Sequence, residues 1–228
     1  MKFDQLGVFV LALMIVAWYG FGPSYFQKVL GEVADFSIYF HLHAFFMVIW
    51  LLIIFIQPVL IRNGKLKLHR LIGKITYVIF PMMILSILLL VHSQLNQSEF
   101  VTGTEFFIPF KDIVIMIFAY IFGVYWKQNI ALHSRFMIIS IIPMIEPSLV
   151  RMFFNVLPES IVEYSYPLTI LVVDIIIILL AVNDFKKEKV RWIFPGLLIV
   201  LGICQTMVIF EYSESSWIVS LAKWYAGL

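Results

Sequence analysis

Seven runs of apolar residues, each close to the length a helix needs to cross a bilayer, follow one another along this chain of 228 residues. They extend approximately from Leu6 to Phe21, Ser37 to Ile61, Ile72 to Val91, Asp112 to Trp126, Phe136 to Val156, Tyr166 to Val182 and Trp192 to Phe210. Hydrocarbon offers no water to satisfy backbone N–H and C=O groups, so each run must pair its own backbone as a helix. Composition agrees. The chain is 62% hydrophobic and 13% charged, whereas a soluble domain carries about 45–50% apolar and about 25% charged residues. A soluble fold of this size would still have to cover itself with polar groups, so the solvent is lipid. The expected fold is all-α: a polytopic membrane helix bundle of about seven transmembrane helices over residues 1–212, with a separate tail over 213–228. The first run ends in Trp18, Tyr19 and Phe21 rather than in small residues, so it reads as a retained anchor and not a signal peptide.

Orientation follows from the basic residues. With the N-terminus in the cytoplasm, the inner side collects Lys2, Arg62, Lys65, Lys67, Arg70, Lys74, Lys127, Arg135, Lys186, Lys187, Lys189 and Arg191, twelve of the sixteen. Removing or adding a span would scramble that bias, so the bias also supports the number of spans. The outer loops, Gly22 to Phe36, His92 to Lys111 and Leu157 to Ser165, are too short for a domain. In the tail, Ser213 is a candidate helix cap, and Trp217, Leu221 and Trp224 recur at helical spacing beside Lys223. This pattern predicts a short amphipathic helix in the outer interface. The net charge of +2 gives no reason to expect a nucleic-acid partner, and the single cysteine, Cys204, can form no internal disulfide.

Ionisable side chains inside a span are costly and tend to mark function. Glu146, Arg151 and Asp174 are the clear cases. Glu146 lies between Pro143 and Pro147, two residues that each remove a backbone donor and predict a kink or opening of span five. Helix rise places Glu146 about 15 Å and Arg151 about 22 Å from the inner end of that span, and Asp174 about 12 Å below the outer surface. At those depths Arg151 can reach Asp174, Glu146 or both. One reading is a buried ion pair that fixes helix register; the other is a polar pocket in the outer half of the bundle. His43, Trp50 and Gln57 recur every seven residues on one face of span two, whereas His41 points to nearly the opposite side. His43 is therefore the expected interior residue, and His92 ends span three at the same outer level.

Two inner loops echo each other. Arg62 to Arg70 and Lys127 to Arg135 are both basic turns that end in Leu-His and an arginine before the next helix, an arrangement expected of a diverged hairpin repeat or simply of the positive-inside rule. His69 and His133 hold equivalent places there and could bind a metal, a haem edge or a quinone head group. Arg70 and Arg135 are candidates for lipid phosphates of the inner leaflet.

The run His43-Ala44-Phe45-Phe46-Met47-Val48-Ile49-Trp50, with Gln57, Leu60 and Leu68-His69-Arg70-Leu71-Ile72-Gly73, resembles a large uncharacterised family of bacterial multi-pass inner-membrane proteins. Leu132-His133-Ser134-Arg135-Phe136-Met137 and Arg151 fit it too, although Ser134 stands where a basic residue is expected. The resemblance covers spans two to five and implies a bacterial inner membrane, but no activity. A weaker likeness, to di-haem b-type cytochromes that pass electrons to ferric iron, implies haem b ligated by histidines. Here span four has no histidine, and His69 and His92 are 23 residues apart, about 34 Å by helix rise.

Three functions are carried forward, with enzymatic activity left open. The first is a pocket that binds or moves a small molecule, ion or lipid, with Glu146 or Asp174 as proton carrier or base and Arg151 as anion clamp. Its metal-dependent version sets His43, His92 and a carboxylate on zinc, without any HExxH signature. The second is haem- or quinone-linked electron transfer, using His41 or His43 with His92 outside and His69 with His133 inside. The third is a non-catalytic accessory subunit of a membrane complex or homo-oligomer. A retinal protein is set aside, because the seventh span has no lysine for a Schiff base.

Overall fold

The computed structural model describes the backbone of residues 3–31 and 36–228, with side chains from residue 7 onward in the first stretch. Lys2, counted above with the inner basic residues, and residues 32–35 of the first outer loop lie outside the described residues. Every regular element described is helical: α1 (Phe3–Phe21), α2 (Gln27–Leu30), α3 (Ile38–Arg62), α4 (Leu66–Gln97), α5 (Gly103–Tyr125), α6 (Ile130–Ile139), α7 (Ile145–Val156), α8 (Ser165–Asp184), α9 (Ile193–Ile209) and α10 (Ser216–Ala226). Six helical stretches are long and apolar enough to cross a membrane, and α9 is a shorter apolar helix. At 17 residues, α9 measures about 26 Å, near the thickness of the hydrocarbon. The chain is a polytopic helical membrane bundle.

The helices form a chain of neighbours: α1 packs on α3 and α7, α3 on α4, α4 on α5, α5 on α6, α7 on α8, and α8 on α9. At its centre Trp50, fully buried, meets Phe80 and Tyr120, whose rings stack 4.0 Å apart. These three side chains join α3, α4 and α5. The Thr76 hydroxyl and the Tyr120 hydroxyl hydrogen-bond at 2.9 Å beside them, so the polar tip of the stack is satisfied in the apolar interior.

Several boundaries differ from the apolar runs, each for a local reason. Span one does not stop at Phe21: a π-helical turn, Gly22–Phe26, carries it into α2 as far as Leu30. Span three extends to 32 residues, about 48 Å of helix, so His69, Arg70 and His92 sit on helix rather than in loops. Span four begins at Gly103 instead of Asp112, because Thr102 and Glu105 form a capping box. The Thr102 hydroxyl accepts from the Glu105 amide at 3.2 Å, and the Glu105 carboxylate accepts from the Thr102 amide at 3.4 Å. Span five breaks at its prolines as expected. A 3₁₀ turn over Ile142–Met144 separates α6 from α7, and Pro147 falls in the first turn of α7, where a missing N–H breaks no helical bond.

α3 ends in a Schellman motif. The Gly64 amide donates to Ile61 O and the Lys65 amide to Leu60 O, with Gly64 at φ 69°. Glycine takes that left-handed conformation without steric cost, and the tight stop sends α4 back along α3.

The tail is a helix, as its spacing indicates, but it docks by its other face. Ile218, Ala222 and Ala226 are buried against α4 and α5, while Trp217, Leu221 and Trp224 point outward. Ser213 does not cap this helix; it is buried in a 3₁₀ turn and hydrogen-bonds the Thr104 hydroxyl at 2.7 Å. Its neighbour Glu214 caps α5 from outside, accepting from the Gly103 amide at 2.9 Å and the Thr104 amide at 2.8 Å. The Thr104 hydroxyl also donates to it at 2.6 Å. An acid at a helix N-terminus meets both the orphan donors and the positive end of the helix dipole.

The Thr104 hydroxyl and the two amides hold the Glu214 carboxyl below the usual carboxylate range. A group depressed in the folded state contributes stability above its unfolded value and loses it as pH falls through its folded value. Glu214→Gln should therefore lower stability modestly at neutral pH and flatten the loss on acidification, as read by thermal unfolding in detergent across that range. A second test concerns α1 and α7. A Cβ on Gly20 would collide with the Ser148 carbonyl, whereas Gly7 faces open space. Gly20→Ala should cost about 1–3 kcal/mol, and Gly7→Ala should not destabilise, in the same unfolding assay.

Candidate functional site: a buried ion trio

Glu146 opens α7 immediately after the helix break, and the break turns its carboxylate toward α5. There it meets Lys111, whose Nζ donates to Glu146 Oε2 at 2.7 Å and to Asp112 Oδ1 at 2.6 Å. The side chains of Lys111 and Glu146 are only 3% and 4% exposed, and that of Asp112 13%. Lys111 is the ninth residue of α5, so it lies about 12 Å in from the outer end. Two carboxylates thus share one ammonium in the outer half of the bundle. Two carboxylates against one ammonium leave one formal negative charge in excess, a place for a proton or a monovalent cation. Among the described residues Glu146 Oε1 is buried without a hydrogen-bond partner, as is the hydroxyl of Tyr166. Tyr166 and Cys204 both lie within electrostatic reach of the trio.

Lys111 is inconspicuous in the sequence because its charge, beside that of Asp112, reads as the end of a loop. The Thr102-x-x-Glu105 signature was the signal that could have moved the helix start outward. Arg151, expected to reach Glu146 or Asp174, does neither. It stands five residues beyond Glu146, so it projects about 140° around the helix from it. Its guanidinium donates to Pro147 O at 2.9 Å and sits 4.8 Å over the Phe21 ring. Asp174 faces α9, where the Gln205 amide donates to its Oδ1 at 3.2 Å. The three embedded charges singled out in the sequence therefore occupy three separate environments.

The seven-residue face of α3 does point at α4. His43 Nδ1 lies 3.4 Å from Ser86 Oγ, Trp50 packs on Phe80, and the Gln57 amide donates to His69 O at 3.3 Å. Trp50 is thus core, and Gln57 joins the inner ends of α3 and α4. His41 turns away, with Nδ1 2.7 Å from the Tyr25 hydroxyl. His92 meets the edge of Tyr225 in the docked tail, 5.6 Å between ring centroids. The outer histidines have three different neighbours. Among the described residues no three of His, Cys, Asp and Glu are grouped closely enough to hold a metal.

At the inner end, His69 and His133 are each the fourth residue of a helix, α4 and α6. The two rings lie within electrostatic reach of each other. His133 Nδ1 is 2.7 Å from Gly123 O, while His69 Nδ1 is buried without a hydrogen-bond partner among the described residues. Arg70 is exposed and donates to Leu66 O at 3.4 Å. Arg135 is different: its Nε and Nη2 donate to the two oxygens of Asp184 at 2.7 and 2.9 Å, and its Nη1 to Ala131 O and Ser134 Oγ. Through this bidentate pair Arg135 latches α6 to α8, and Lys187 braces the same carboxylate at 2.7 Å.

Removing one member of a buried ion pair strands its partner, at a cost of about 3–5 kcal/mol. Lys111→Met should show a loss of that size in denaturant or thermal unfolding, because it leaves two carboxylates without their cation. Arg151→Leu, which abandons no carboxylate, should cost clearly less. No family model, no curated protein and no solved structure matches the chain.

Proposed function

We propose that the protein binds or moves a small molecule or ion in the outer half of its bundle, with Glu146 as the carboxylate that takes up a proton or cation. The observation that carries this reading is the buried ammonium of Lys111 shared between two carboxylates, with one Glu146 oxygen left unpartnered. A purely structural ion pair needs equal charges, and the second carboxylate exceeds that need. Ionisable groups at this depth are costly enough in lipid that a surplus one calls for a use. The helix break supports the same reading, since α7 starts anew just before Glu146 and the Glu146 carboxylate meets Lys111 of α5. The resemblance described above makes a bacterial inner membrane the expected location, and the basic loops favour a cytoplasmic N-terminus.

A second reading, haem- or quinone-linked electron transfer, draws on the inner end. His133 with Nδ1 held by a backbone carbonyl keeps Nε2 available as a ligand, and His69 lies near it. The outer histidines offer no matching pair.

The test is a flux measurement. Purified protein in liposomes, given an imposed pH or sodium gradient, should dissipate it faster than empty vesicles. Glu146→Gln, folded as judged by circular dichroism, should remove that flux. Wild-type vesicles as tight as empty ones to both gradients, or a flux indifferent to Glu146→Gln, would overturn the proposal and leave the trio a register device. An absorption spectrum and iron content of the same preparation address the second reading: a stoichiometric haem band would favour it.

A further inference from the structure

Arg151 and Lys28 face a groove at the outer end of the bundle, between the π-helical turn that follows α1 and the last turns of α7. The groove has a volume of about 500 Å³, and its lining includes Pro23, Ser24, Lys28, Arg151, Phe154 and Asn155. We propose that this groove is a binding site for a phosphate group, carried either by a lipid headgroup of the outer leaflet or by a small soluble phosphate. It is separate from the Lys111–Glu146 trio and does not rest on the role given to Glu146.

Four features support the assignment. First, both charged residues of the groove are cationic, and among the described residues neither forms an ion pair with a carboxylate. A guanidinium left without a counter-ion inside a span is costly, and an anion from outside would relieve that cost. Second, the guanidinium is pre-positioned. Pro147 O takes one Nη and the Phe21 ring supports the planar face, so little freedom remains to lose on binding. Arginine held in this way can still offer other N–H groups in the fork geometry that suits phosphate oxygens. Lys28, on the exposed rim, adds a compact second charge.

Third, the walls are rigid where they need to be. The Ser24 hydroxyl and the Asn155 amide both donate to Gly20 O, each at 3.3 Å, tying the π turn to α7. Gly20 itself lies against the Ser148 carbonyl, which brings the two helices close enough to form a groove at all. Fourth, the volume falls within the range of small-molecule sites, and the apolar side is open to lipid. Phe154 is 66% exposed, so a headgroup could enter from the bilayer with its chains still in hydrocarbon.

The test uses the full chain purified in a neutral detergent. Native mass spectrometry with added phosphatidylglycerol, and with phosphatidylcholine for comparison, reads bound lipid; isothermal titration with glycerol 1-phosphate and with inorganic phosphate reads soluble anions. Lys28→Gln lies on the exposed rim and leaves both the trio and the core untouched, so it should fold. Losing a charge-assisted contact should weaken binding about tenfold or more. Arg151→Gln should weaken it further, and Lys223→Gln, outside the groove, should leave it unchanged. Binding of lipid alone identifies a headgroup site, and binding of the soluble phosphates as well identifies a free-anion site. If no probe binds, or if Lys28→Gln binds as the wild type does, the proposal is wrong. Because the flux assay depends on Glu146 and this one on Lys28, either proposal can fail alone.

Discussion

The contact between Lys111 and Glu146 decides how the two halves of the bundle meet. It joins α5, the last helix of the first half, to α7, which begins only because the chain has already broken its helix. Charges at this depth are tolerated when each has a partner and are expensive when one is missing. The Pro143–Pro147 segment, the 3₁₀ turn and the start of α7 are the local devices that aim Glu146 at α5 rather than at lipid. Pro143 stops α6, and Pro147 is harmless because it falls in a first turn. With Glu146 turned this way, α7 can lie against α1 through Gly20 and Ser148, and against α8 on its other side.

Two further polar latches close the bundle at its ends. Asp184 receives Arg135 bidentately at the inner end, and Glu214 caps α5 at the outer end. Each connects segments far apart in sequence that must lie on the same side of the membrane. The apolar centre, built on Trp50, Phe80 and Tyr120, supplies packing but little direction, since lipid is as apolar as those side chains. Polar contacts, close glycine approaches and helix breaks give the bundle its specific arrangement.

Much of this architecture was legible in the sequence, for physical reasons. Hydrocarbon forces helices of a set length, so apolar runs located the spans; prolines four residues apart gave the break; and Trp217, Leu221 and Trp224 gave a helix in the tail. The candidate site was legible only in part. Glu146 stood out because a charge in an apolar run is conspicuous, whereas Lys111 did not, because it sat at the edge of one. Depth alone lets Arg151 reach Glu146, but residues five apart on a helix diverge by about 140°. Arg135 looked like a lipid contact because Asp184, its true partner, is 49 residues away. Docking of the tail by Ile218 and Ala222 depends on the surfaces of α4 and α5, which no local pattern records.

The central claim is that Lys111 and Glu146 interact directly in the interior, and a double-mutant cycle measures that interaction without reference to any substrate. Unfolding free energies of the wild type, Lys111→Met, Glu146→Leu and the double variant isolate the coupling. The structure requires the double variant to be substantially more stable than the sum of the two single losses allows, with a coupling of about 0.5–3 kcal/mol or more. Additive losses, with no coupling between the two positions, would mean that the helix break does not bring Glu146 to Lys111 and that the arrangement described for the two halves of the bundle is wrong.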